Sequence, residues 1–240
     1  SGLFLVAPIM GHRSIPAQVK VGLAILFAIV VIPGVPSVEL PSTGSTLDLV
    51  GLVLCELMVG ILLGFFFTLI FKAAEMAGAM TGFQIGLVVA QAFDPNAGGQ
   101  VAIIGRFWIA LAGLIFLAIN GHHLVIQAFN ESFQIIPPGQ MVVNGDTGEI
   151  MVRYTAYALV LAVKIASPVI VTLVLTDVAM GTISKLMPTM NIFIVGFPLK
   201  VGVGLIVTAM ALPVLSYVLQ KSTAYLNESV GELLQSMGKA

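Results

Sequence analysis

The sequence predicts an all-α membrane protein of about six hydrophobic, partly broken helical segments that form hairpins. Three observations carry that expectation. Of 240 residues, 58% are hydrophobic and only 9% charged, whereas soluble domains carry roughly 25% charged residues. The mean hydropathy is +1.08. Apolar runs of membrane-crossing length recur between short polar or proline-rich breaks.

The same composition excludes whole classes of function. A net charge of −1 supplies no electrostatic footprint for nucleic acid. The single cysteine, Cys55, allows no intrachain disulfide and reads as a small apolar residue. The chain opens inside an apolar run, SGLFLVAPIM, without Met. This is expected to be a helix whose start lies before Ser1, not a signal peptide.

Taken in order, a polar turn Gly11–Pro16 precedes the run Ala17–Ile32, which contains Lys20. Its 16 residues reach about 24 Å, short of a ~30 Å hydrocarbon core. Residues 33–48 hold Pro33, Pro36 and Pro41 with Glu39 and Asp48 and no basic residue. They are expected outside, with Arg13 and Lys20 inside. Leu47–Phe71 is long enough to span and carries Glu56. It runs on through Lys72 and Glu75 into GFQIGLVVAQAFDPNAGGQ (82–100), a helix expected to break at Asp94-Pro95. Val101–Ile119 is a further span with Arg106 one turn in. Asn120–Glu149 reads as a polar outside loop with the turn Pro137-Pro138-Gly139. Ile150–Thr176 is apolar but holds Arg153, Lys164 and Pro168. Met190–Leu219 contains Pro198, Lys200 and Pro213, so a kinked span or bent hairpin is expected there. The tail from Gln220 reads as a short surface helix. No internal repeat stands out, and one domain over 1–240 is expected.

Two constellations carry information. Gly78, Gly82 and Gly86, four apart, fall within about 80° of one another and make a smooth packing face. Gln84 and Gln91 lie nearly opposite, where they either line a path or brace neighbouring helices. A helix that stops inside a membrane protein usually lines a cavity, because lipid leaves exposed peptide groups unsatisfied. The second constellation is the set of charges in apolar runs: Glu56, Arg106, Arg153, Lys164, Asp177 and Lys200. Each costs roughly 2.5–3.5 kcal/mol at a helix centre. With two acids among four bases, they fit interhelical pairing and assembly better than a proton relay. His122-His123 lacks further ligands at metal spacing, and no metal or cofactor is expected. The methionines, Met76 and Met80 among them, read as adaptable core filler. There is no Walker loop, no G-x-S-x-G and no H-E-x-x-H, and no catalytic residue is expected.

Four strings in order resemble the flagellar biosynthetic protein FliR family, the T-subunit family of type III secretion export gates. They are APIMGHRSIPAQVKVGLA (Ala7–Ala24), GFQIGLVVAQAFDPNAGGQ, FLAINGHHLVIQAFNESFQIIPPG (Phe116–Gly139) and NIFIVGFPLKVGVGLIV (Asn191–Val207). The resemblance implies a bacterial inner-membrane subunit of the flagellar basal body, partly above the membrane plane. It implies FliP-like and FliQ-like partners packed with this chain into a helical export gate. FlhB-like and FlhA-like components, membrane lipid and unfolded flagellar export substrates complete the implied contacts. It further implies a pore plug at Phe93, Asp94, Pro95, Asn96, Gly98 and Gly99. A virulence type III export subunit is the neighbouring alternative, a proton-coupled secondary transporter or a pure scaffold the distant ones.

Overall fold

A computed structural model describes residues 16–32, 46–87, 102–187 and 191–238. Those residues form seven helices: α1 (Ala17–Val31), α2 (Thr46–Ile85), α3 (Ala102–Ala118), α4 (Gly121–Ile135), α5 (Gly145–Leu186), α6 (Ile192–Met210) and α7 (Leu212–Gly238). The protein is all-α. Among the described residues α2 and α5 can each cross a membrane by length and composition, and counting each of the bent pairs α3–α4 and α6–α7 as one span raises the number to at most four.

The described residues fall into two compact units. One draws on 16–32, 46–70, 116–157 and 221–238, the other on 71–87, 102–115, 158–187 and 191–220. In the first, the core is aromatic. The Phe66 ring stacks on Tyr154 with centroids 4.5 Å apart. Tyr225 lies 6.0 Å from Tyr154 and 4.4 Å from Tyr157. The Tyr157 hydroxyl is 3.1 Å from Ser222 Oγ. Around this stack, Leu226, Val230, Leu233, Leu234 and Met237 of α7 are buried.

The same unit shows why α4 and α5 begin where they do. Asn120 takes φ 59°, a left-handed conformation that asparagine tolerates. There the chain turns by 72° between α3 and α4. Gly121 follows because a Cβ there would meet the Phe116 ring at 2.4 Å. Asn144 caps α5: its Oδ1 accepts from the Thr147 N–H at 3.0 Å, the usual N-cap to N3 bond.

Two sequence expectations are corrected here. Asn120–Glu149 is not a loop. Gly121, Ala128 and Ser132 bury one face of α4, so its polar residues belong to the other face of an amphipathic helix. The tail from Gln220 is not a separate surface helix but the buried continuation of α7. The long helix α2 closes at Ile85, where Gly86 turns the chain at φ 93°; the break expected at Asp94-Pro95 lies outside the described residues. The kink expected in Met190–Leu219 is present as a 45° bend between α6 and α7. Pro213 sits in the first turn of α7, where a missing N–H is least costly.

Candidate functional site

In the second unit, α2 and α3 meet backbone to backbone. A Cβ on Gly78 would lie 2.6 Å from the Gly105 Cα, and one on Gly105 would lie 3.1 Å from the Glu75 carbonyl oxygen. Only paired glycines permit that approach. Gly82 is buried on the same helix. Gly86 stands beyond the helix end, in contact range of the Phe197 ring, 3.6 Å from an ideal Cβ. The α2 terminus is fitted to α6 a second time, where a Cβ on Gly204 would meet Ile85 Cγ1 at 2.5 Å.

At this helix end three polar side chains from three helices converge. Gln84 Nε2 of α2 donates to Asp177 Oδ2 of α5 at 3.3 Å. Lys200 Nζ of α6 lies 2.8 Å from Asp177 Oδ1 and donates to Oδ2 at 3.0 Å. Lys200 is the more buried partner, with 23% of its side chain exposed against 44% for Asp177. The carboxylate thus accepts from an ammonium and an amide at once. Gln84 reaches from α2 to α5.

The remaining expected site residues are distributed as follows. Arg153 of α5 pairs with Glu232 of α7 at 2.9 Å. Glu56 is half-buried, and its Oε1 accepts the Gly139 N–H at 3.2 Å. That N–H belongs to a tight turn, Pro137–Gln140, closed by the Gln140 N–H on the Pro137 carbonyl at 3.0 Å. Gly139 takes φ 79°, the glycine position of a type II turn. Arg106 and Lys164 are exposed and make no ion pair among the described residues. Gln91, Phe93, Asp94, Pro95, Asn96, Gly98 and Gly99 lie outside the described residues.

Some residues that shape these sites carried little sequence signal. Glu232 sits in a polar tail, Gly105 lies outside the glycine series of α2, and Gly139 contributes only backbone. The tyrosines 154 and 157 carry a helical spacing, but Tyr225 is remote in the chain. Among the described residues no group of three or more His, Cys, Asp or Glu could hold a metal ion.

Much of the surface is apolar. Leu47, Val53, Leu114, Leu175 and Ile206 are each more than half exposed, far more than water tolerates in a lone soluble domain. A family model described as "Bacterial export proteins, family 1" matches residues 1–226. The flagellar biosynthetic protein FliR of Bacillus subtilis is 30% identical over 99% of this chain and 92% of its own length. The chain belongs to the FliR family. FliR of Escherichia coli is 29% identical over 89% of this chain and 81% of its own. FliR of Pectobacterium carotovorum is 30% identical over the same shares. FliR-family membership and the apolar exterior agree in making this a membrane-associated export protein.

Proposed function

We propose that this chain, acting as one unit over 1–240, is a core subunit of a flagellar type III protein export gate in the bacterial inner membrane. It assembles with FliP-like and FliQ-like subunits, alongside FlhA-like and FlhB-like components, around a path for unfolded flagellar proteins. The observation that carries this reading is the nearly end-to-end similarity to FliR of Bacillus subtilis. Two features of the chain support it. At 40 and 42 residues, α2 and α5 are about 60 Å long, twice a ~30 Å hydrocarbon core. Helices of that length fit an assembly that projects beyond the bilayer plane. Their exposed apolar faces fit contact with further subunits and with lipid.

The role of the subunit is positional, with no catalytic step. Phe93, Asp94, Pro95, Asn96, Gly98 and Gly99 form its plug, and the Gln84–Asp177–Lys200 cluster braces the helix that leads toward them. A photoreactive residue at position 93 tests this in cells carrying a stalled flagellar export substrate. The reading expects a crosslink to the substrate; a crosslink pattern confined to lipid and other subunits contradicts the plug.

A further inference from the structure

Along α5, Val160, Lys164, Ser167, Val171, Val174, Val178, Gly181 and Lys185 follow one another at alternating steps of four and three. That is the 3.5-residue repeat of a helix–helix seam. All eight are exposed, with Val160, Val171, Val174 and Val178 between 46% and 62%. The opposite face of the same stretch is fully committed to the interior through Leu161, Ile165, Val169 and Leu173. The seam is therefore a second packing face without a helix on it among the described residues.

Away from the helix end, where Lys185 stands in the last turn, the seam carries one charge, Lys164. Lys164 makes no ion pair or hydrogen bond through its ammonium among the described residues, and its neighbours Val160 and Val163 are half exposed. It stands about 28 Å from the Gly145 end of α5 and about 33 Å from the Leu186 end. Ser167 does not serve it, because the Ser167 hydroxyl donates to the Lys164 backbone carbonyl at 2.8 Å. That carbonyl needs a donor because Pro168, four residues on, has no N–H to offer.

We propose that this seam receives an apolar helix from a different subunit, one that presents a single carboxylate at the layer facing Lys164. Charge selects the occupant. Between 160 and 185 the seam carries two lysines and no acid, so a second copy in parallel register sets lysine against lysine. Lipid tails cover valine but leave the ammonium unmatched, and they need no heptad spacing. An apolar helix with one acid meets both demands, and a single polar layer also fixes its register. The inference rests on the multi-subunit reading above and adds to it the face and the chemistry of one partner.

The test uses the full chain in cells that make the whole flagellar apparatus. A photoreactive residue replaces Val171 or Val174, with Leu114, exposed on α3, as the off-seam control. The expected adduct from the seam is a peptide of another subunit that is apolar and holds one Asp or Glu. Lys164→Glu then lowers its yield about tenfold or more, and a reciprocal change of the partner's acid to Lys restores it. If Lys164→Glu fails to accumulate in the membrane, Lys164→Met is read instead; there, changing the partner's acid to its amide restores the yield. Adducts only to lipid, to a second copy or to residues of this same chain overturn the inference, as does a swap that restores nothing. Secretion of flagellar protein is scored in the same cells. Lost seam adducts with intact secretion overturn the seam alone, whereas intact adducts without secretion overturn the export reading and leave the seam standing.

Discussion

The Gly105 Cα occupies the place a side chain on Gly78 would need, 2.6 Å from an ideal Cβ. The contact brings α2 and α3 together within the second unit, and both atoms involved are backbone. Gly78→Ala therefore forces the helices apart. The expected cost is about 1–3 kcal/mol, read as a fall in thermal unfolding temperature in detergent. Gly202→Ala is the control. Nothing lies within 4 Å of a Cβ there, so the better helix propensity of alanine makes it neutral or stabilising by up to about 1 kcal/mol.

Asp177 holds both Lys200 and Gln84. A double-mutant cycle with Asp177→Asn and Lys200→Met is expected to give a coupling of about 0.2–1 kcal/mol, because both groups are partly exposed in the isolated chain. That coupling should shrink as salt rises. Gln84→Ala should weaken stability less than Asp177→Asn, since it removes one neutral donor and leaves the ion pair.

Glu56 reaches a backbone N–H, not a cation. Glu56→Ala should leave the Gly139 N–H without its acceptor at a cost of about 1–3 kcal/mol, while Glu56→Gln keeps an acceptor and most of the stability. Hydrogen exchange at Gly139 separates the two: faster in the alanine variant, near the parent rate in the glutamine variant. Gly139→Ala should be worse than either, since φ 79° is strained for alanine and Leu52 fills the space.

The Ser167 hydroxyl supplies the donor that Pro168 lacks. Ser167→Ala should cost about 1–2 kcal/mol by orphaning the Lys164 carbonyl. In a Pro168→Ala background that cost should largely vanish, because the new N–H takes over the bond. Unfolding of the four variants in detergent checks the non-additivity.

How far the sequence revealed this protein depended on where the signal lay. Low charge together with apolar runs of membrane-crossing length was enough for an all-α membrane protein. The long helix α2 followed from its apolar run, and α5 only in part, since the run Ile150–Thr176 is interrupted by Arg153, Lys164 and Pro168 and the helix extends beyond it at both ends. The end of α2 did not, since the apolar residues continue past Gly86 and only its positive φ marks the exit. α4 was hidden because a helix with one polar face resembles a loop in composition alone. Among the charges, Arg153 was visible but its partner Glu232 was not, being one of two acids in a mixed polar stretch. Glu56 was visible as a charge in an apolar run, yet its partner is a peptide N–H that no side-chain pattern encodes.

The export reading itself is tested most directly by deleting the gene for this chain in its own organism and measuring flagellar filament protein outside the cell. The account expects that protein to be made but retained inside, with secretion and motility restored by a plasmid copy. Filament protein appearing outside at the parental level in the deletion strain would contradict it.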